Sequence, residues 1–546
     1  MAGPHNQSHT HGSGLAVDPR VGNALQRADP IYQEDLGVFG THPWKIADAF
    51  QGTQIFGGTG SGKTTGSGAA IALALLKAGF GGLVLTAKAD EVSRWKSYAF
   101  DCGRADDVVE ISPDNGAAFN ILDYEYRSGR RLTHNLVSLL LGAMTSGNES
   151  STSDPYWHEA LREMLIHAVD LFVLAIDAEP AAGVHSDRTP SQPLQLASLD
   201  RIVRTAPQSA KAIGSKKWRD SSHCWKLIER ADRAARAGVF GKERARDLDA
   251  TIDYWLHDYP NLASRTRSII VSTFTAKFAG LLRSPLREMF FEATRPEFSP
   301  DASMRATRNG RYGKIIIVNL PVKTYGEVGR LAQILYKIAW TRAADRRSGI
   351  FGRASRPSAD SVGSTSSALC SPAFLWADES QYFVTPEDQL FQQTARSSRV
   401  ATVYLTQNIE NYKAMLGRNS ESAMYSLLGN LQTKIFHTNG DPATNRFAEA
   451  TFGKEWTPLN SQGSNAGDSI QDGRVTLSSG KNTTISLHYV DVVTARDITL
   501  LPSGGPRYGL KVKAIVFQAG RNWNRGDGAD GSATNMFVHS FDQYLG

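Results

Sequence analysis

The sequence predicts an α/β fold: a doubly wound, mainly parallel sheet into which an all-α domain is inserted. Three observations predict it. An apolar lead, a glycine loop, a helix-prone run and a second apolar run follow one another from Ile55 to Ala87, the spacing of a βαβ unit, which implies parallel strands. From about Arg130 to Pro300, β-branched runs become sparse and apolar residues take helical spacing, as in Trp157 to Ile176 and Ser222 to Ala237. Short apolar runs then return at 314–320, 373–377, 400–406 and 433–438, as expected of strands buried on both faces.

Length and composition bound the rest. A chain of 546 residues is too long for one compact core. The expected division is a disordered tail over 1–36, a nucleotide-binding domain in two parts (37–130 and 306–546), and the inserted helical domain over 131–305. A net charge of +6 with a pI near 9.0 permits a polyanionic partner without demanding one. Cys102, Cys224 and Cys370 lie too far apart for metal-ligand spacing, which argues for a reducing compartment. The start of the chain lacks the apolar core of a signal peptide, and no run approaches about twenty apolar residues. A cytoplasmic chain with no membrane span of its own is therefore expected.

In chain order, the first segment is rich in Gly, His, Ser and Asn, and His5, His9 and His11 have no carboxylate or cysteine cluster beside them to make a metal site. Next comes Gly57-Gly58-Thr59-Gly60-Ser61-Gly62-Lys63-Thr64, followed by Thr65 and the helix-prone run Ala69 to Lys77. Glycines in this spacing let successive backbone N–H groups turn inward around a polyphosphate, and the helix aims its positive end at the same charge. Lys63 would reach the β- and γ-phosphates, and the Thr64 hydroxyl would hold Mg²⁺. The alternatives are an accidental glycine turn, or a loop that binds nucleotide without turning it over.

Strands follow at 82–87 and Val108 to Ile111. In the helical region Lys211, Lys216, Lys217, Arg219, Lys226 and Arg230 interleave with Trp218 and Trp225, a mixture that suits phosphate contact and base stacking. A solvated helical face over two core tryptophans is the commoner origin of such a pattern. Tyr156 and Trp157 are expected to pack. A long helix is expected from about Val328 to Arg346, a flexible excursion over 347–371, loops over 461–480 and 525–532, and a last strand, Leu510 to Phe517, near the sheet edge.

The strand Ala373-Phe374-Leu375-Trp376-Ala377 ends in Asp378-Glu379. Paired with the phosphate loop, Asp378 would orient the Mg²⁺ shell and Glu379 would act as general base on water. Gln407 closes the neighbouring strand, where polar side chains meet ligands in open α/β sheets. Arg396 and Arg399 lie between, and either could be an arginine finger supplied to another subunit or a plain exposed arginine.

Taken together, the Gly57–Thr64 loop, the strand leading to Lys88-Ala89-Asp90, Asp154-Pro155-Tyr156-Trp157 before the helical insertion, Trp376-Ala377-Asp378-Glu379, the arginine before Gln407 and the closing Val493 to Phe517 segment come in a familiar order. The chain resembles the type IV secretion coupling proteins, conjugative DNA-transfer ATPases of the TraG/TraD kind in the FtsK-HerA superfamily. The resemblance runs from about Gly37 to Phe517. It implies a recombinase-like P-loop NTPase fold, ATP and Mg²⁺ as cofactors, and a homo-hexamer that moves single-stranded DNA, or a DNA–protein adduct, with relaxosome or secretion-channel proteins as partners. By the same resemblance Lys63 and Thr64 serve phosphate and metal, Asp378 and Glu379 serve metal and water, Arg396 is the finger acting between subunits, and Gln407 senses the γ-phosphate. Two departures stand out: of the Asp-Pro-Lys-Gly turn frequent in the family only Lys88 matches, and the membrane-spanning helices that open many members have no counterpart. Docking at the inner membrane through another protein is one consequence. A double-stranded DNA translocase of the HerA/FtsK kind and a nucleotide-gated adaptor for protein cargo are the rival readings.

Overall fold

The structure is a computed structural model that describes residues 30–129, 132–145, 155–178, 193–307, 312–354, 371–416, 421–471, 474–523 and 534–545. Its strands, in chain order, are β1 (Thr53–Phe56), β2 (Gly81–Leu85), β3 (Val108–Ile111), β4 (Ile315–Val318), β5 (Ala373–Ala377), β6 (Val400–Thr406), β7 (Thr433–Phe436), β8 (Lys454–Gln471), β9 (Arg474–Asp491), β10 (Lys511–Gln518) and β11 (Met536–Asp542). Nine of them form one sheet in the order β11-β10-β7-β1-β6-β5-β2-β4-β3. From β7 to β3 every pairing is parallel, while β10 runs antiparallel to β7 and β11 antiparallel to β10.

The parallel strands are apolar on both faces because each face meets its own core. Leu83, Leu85, Ile316, Val318 and Leu375 point into one apolar cluster. Val84, Ile315, Ile317, Phe374 and Trp376, their neighbours in sequence, point into the other. Helices α1 (Ala69–Lys77) and α2 (Asp90–Asp101) cover the second face. The sequence Ala-Ala-Ile-Ala-Leu-Ala-Leu-Leu-Lys makes α1 from strong helix formers, and Gly79 at φ +83° then turns the chain toward β2. Asp90 and Glu91 in the first turn of α2 suit the positive end of its dipole.

Between β3 and β4 the described elements are helical, from Ile121 to Met304. Their centre is α3 (Pro155–Asp177), whose Met164, Leu165, Ala168, Val169 and Leu171 are buried in the same cluster as one face of the sheet. The insertion and the sheet therefore share a continuous apolar core. Tyr156, expected to pack, is 54% exposed at the start of α3. Trp218 and Trp225 are only half-buried, with ring centroids 5.9 Å apart and Arg219 over Trp225 at 4.6 Å.

Several boundaries differ from expectation. The described chain begins at Pro30, inside the expected tail: the turn Pro30–Gln33 sets Tyr32 edge-on to Phe50 at 5.6 Å, and Leu36 N–H bonds to Trp44 O at 2.9 Å. The rest of the expected tail, with His5, His9 and His11, lies outside the described residues. The long helix α4 (Val322–Ala354) starts earlier than expected, breaks at Gly326 (φ 58°, ψ −143°), and continues past Arg346. Of the expected excursion, 355–370 lies outside the described residues, as does 525–532. The loop expected over 461–480 is instead the far part of an antiparallel ribbon, β8 paired with β9 from Lys454–Asp491 to Gln471–Arg474. Backbone ladder bonds hold such a ribbon without an alternating apolar pattern, so composition alone hid it. Near its base Trp456 pairs with Tyr489, centroids 5.1 Å apart, and both are exposed. The last predicted strand is β10, one place in from the edge; the edge strand β11 escaped sequence analysis.

Candidate nucleotide site

The carboxyl ends of β1, β6 and β5 lie side by side, and the site is built on them. The loop after β1 is stitched to both neighbours, Gly57 N–H to Thr406 O at 3.2 Å and Gly58 N–H to Thr438 O at 3.0 Å. Gly60 and Gly62 take φ of +73° and +77°, which L side chains resist. A Cβ on Gly57 would sit 2.4 Å from Ser61 Oγ, 3.0 Å from His437 Cβ and 3.2 Å from Lys63 Cβ, so the loop packs tightly around a glycine there. The loop feeds into a π-wound turn, Thr64–Gly68, before α1, with Gly68 N–H bonded to Lys63 O at 2.8 Å. Ser61 Oγ is buried without a hydrogen-bond partner.

Thr64 Oγ1 donates to Asp378 Oδ2 at 2.7 Å, although the two residues are 314 positions apart. This places the two predicted metal-shell residues on one point. Asp378 is 4% exposed, and its Oδ1 accepts the Glu379 N–H at 2.9 Å. Glu379 itself turns out of β5 with φ 53° and ψ 47°, a left-handed conformation that costs a non-glycine residue energy and aims the carboxylate along the strand ends.

That carboxylate accepts three hydrogen bonds. Glu379 Oε1 accepts from Lys88 Nζ at 3.1 Å and from Gln407 Nε2 at 3.1 Å, and Lys63 Nζ stands 3.9 Å away. Glu379 Oε2 accepts from Gln381 Nε2 at 3.0 Å. Burial alone would push this carboxyl up, but Lys63, the amides of Gln381 and Gln407, and Lys88 outweigh it and bring it down to about 2. Gln407 also accepts from Thr59 Oγ1 at 3.3 Å, joining the tip of the phosphate loop to Glu379. Gln381 accepts from Thr406 Oγ1 at 2.8 Å.

Lys63, Thr64, Asp378, Glu379 and Gln407 are thus brought together, with Thr59 beside them. Arg396 is not. It is exposed at the end of α5 (Asp388–Ala395), before β6, and so lies at the opposite end of the strands, roughly 17 Å from Glu379 along a five-residue strand. Arg399 sits at the same end, over the Tyr32 ring at 5.6 Å, with its carbonyl accepting from Ala373 N–H.

Sequence reasoning missed Gln381, Glu91, Ser67 and His437. His437 ends β7 beside the phosphate loop, where the strand-end rule that found Gln407 applies equally. It is fully buried, with Nε2 2.7 Å from Ser67 Oγ and Nδ1 without a partner. Burial, then the Lys63 charge, press it down to about 3, so it is neutral.

A glycine loop facing a Thr–Asp contact across a mainly parallel, doubly wound sheet is the P-loop NTPase fold. Within that class the likeness is to conjugative coupling proteins. Residues 372–503 match the family described as the TraM recognition site of TraD and TraG, a stretch that takes in Asp378, Glu379, Arg396 and Gln407. Among solved structures, the chain is similar to the bacterial conjugative coupling protein TrwBdeltaN70 in its trigonal form with sulphate, at 14% identity and TM-score 0.52, over 94% of this chain and 92% of that one. It is similar also to plasmid coupling protein TrwB in complex with the ATP analogue ADPNP, at 13% identity and TM-score 0.51, over 96% and 92% of the two chains. The complex of TrwB with the GTP analogue GDPNP gives 12% identity and TM-score 0.51 over the same shares. These likenesses establish the fold. No curated protein matches the chain in sequence. The resemblance to type IV secretion coupling proteins read from motif order is borne out by the matched segment, and the fold expected from it is the fold found. Among the described residues no helix is long and apolar enough to cross a membrane.

Proposed function

We propose that the chain is an ATP-hydrolysing coupling protein that recruits and moves DNA in conjugation or type IV secretion. The observation that carries this reading is the 2.7 Å contact between Thr64 Oγ1 and Asp378 Oδ2, which joins the phosphate loop to the acid pair. Supporting it are the fold shared with coupling proteins solved with nucleotide analogues, and the family match over 372–503.

In this account the backbone of Gly57 to Thr65 cradles the phosphates, and Ser61 Oγ, unpartnered and buried, is a spare donor toward them. Thr64 and Asp378 would hold Mg²⁺, both being hard oxygen donors on one point. The ion would supply charge neutralisation between phosphates. Lys63, now 3.9 Å from Glu379, turns to the phosphates. Glu379 takes the proton of the attacking water, and Gln407, bonded to both Thr59 and Glu379, reports whether the loop is filled. Arg396, remote from its own site, acts on the neighbouring subunit of a homo-hexameric ring. Relaxosome or secretion-channel proteins are the partners, and one of them provides the link to the inner membrane. The preference is for single-stranded DNA.

Lys63→Ala is expected to lose nucleotide binding, and Glu379→Gln to retain binding while turnover falls by about 10²-fold or more. Calorimetric binding beside a phosphate-release assay checks both. Turnover by Glu379→Gln at the wild-type rate removes Glu379 from its role.

A further inference from the structure

We propose that Lys88 is a positioning residue that restrains Glu379: its ammonium holds Oε1 toward the end of β2, and hydrolysis waits on breaking that contact. The proposal rests on the ATPase reading above and concerns how its base is held.

The donors on Glu379 differ in what else they are tied to. Gln381 is anchored to Thr406, and Gln407 to Thr59. Lys63 belongs to the phosphate loop. Lys88 approaches from the other flank, since β5 lies between β6 and β2. Its side chain is 44% exposed, against 3% for Glu379 and 9% for Lys63, so it is the more solvent-exposed of the two ammonium groups beside that carboxylate.

The backbone beneath Lys88 is fixed. Glu91, 4% exposed, accepts the N–H groups of Ala87 at 3.0 Å and Lys88 at 3.2 Å, and Lys323 N–H bonds to Ala87 O at 3.0 Å. The anchor holds the stem while the tip can swing, which is the construction a releasable restraint needs. Burial pulls the ammonium down, but Glu379, with Asp378 and Glu91 beyond it, raises it above its ordinary value, so it is charged at neutral pH. A carboxylate tied to this ammonium is not free to turn to the attacking water, and a general base works only within hydrogen-bond reach of the proton it takes.

Two measurements test the restraint. The first is the rate at which Lys88 is acetylated by a small anhydride at mildly alkaline pH, read by mass spectrometry on the intact chain. In Glu379→Gln the rate is expected to rise severalfold over wild type, because the ion pair that protects the amine is gone; equal rates overturn the contact. The second is steady-state ATP turnover of Lys88→Met, with Lys88→Arg as the conservative variant. The expected result is a rise in kcat on the order of tenfold with KM unchanged, reversed in the arginine variant, whose charge renews the restraint. A fall in kcat, or no change, overturns the proposal. Absence of turnover in wild type as well as in Lys63→Ala would sink the ATPase reading itself, and the labelling experiment would still decide the contact.

Discussion

His437 shows how a residue can serve a site without touching ligand. It wedges beside Gly57, whose added Cβ would stand 3.0 Å from His437 Cβ, and it pairs with Ser67 in the turn after the phosphate loop. Folding keeps it neutral by bringing it from the usual 6.5 to about 3. The unfolded chain therefore binds a proton that the folded chain refuses, so stability present above about pH 6.5 is lost progressively as pH falls toward 3. His167 and His223, both pressed down to about 4 chiefly by burial, act in the same direction. The midpoint of urea unfolding is expected to fall as pH drops from 7 toward 4, and to fall less steeply in His437→Gln. Identical slopes in the two proteins would contradict the assignment.

At the scale of elements, the phosphate loop depends on β10 as much as on β1. A Cβ on Gly62 would lie 2.5 Å from Val512 Cγ2 and 3.0 Å from Ser503 O, at a φ of +77°. Gly60 has a similar φ but open space around it. Gly62→Ala should therefore cost nucleotide affinity through both clash and strain, about 1–3 kcal/mol or more, whereas Gly60→Ala meets the strain alone. Titration of each variant with a nucleotide analogue checks the ranking, and equal losses would remove β10 from the argument. The same comparison marks what the sequence could tell. The loop, α1, β2, β5 and β6 were legible because each is a contiguous run with its own period or its own glycines. The Thr64–Asp378 pairing was legible from chemistry, since both residue types serve one ion. The donor Gln381 was not, because only the left-handed turn at Glu379 brings its amide onto that carboxylate; His437 follows β7 and was open to the same strand-end rule as Gln407. The ribbon β8–β9 was hidden for a related reason: its ladder rests on backbone bonds, and its Ser, Thr, Asn and Gly carry no strand period; β11, Met536–Asp542, is apolar enough to read as a strand and was missed.

For the whole molecule, the separation of Arg396 from its own site has a consequence. If it completes the site of another subunit, activity requires assembly. Arg396→Ala and Lys63→Ala, each silent alone, should recover part of the activity when mixed, because some interfaces then combine an intact arginine with an intact phosphate loop. No recovery over a range of mixing ratios would assign the finger elsewhere. The basic face around Trp218 and Trp225, half-buried and capped by Arg219, is open to a polyanion, so a strong salt dependence of DNA binding is expected.

The most direct test of the central claim is ATP turnover by the purified chain across protein concentration, with and without single- and double-stranded DNA, using Glu379→Gln as the blank. Turnover that vanishes in the blank, rises with DNA, more with single strands, and grows faster than linearly with protein is the result this account requires. Turnover equal in the blank, or indifferent to DNA at low salt, would contradict it and favour an adaptor for protein cargo.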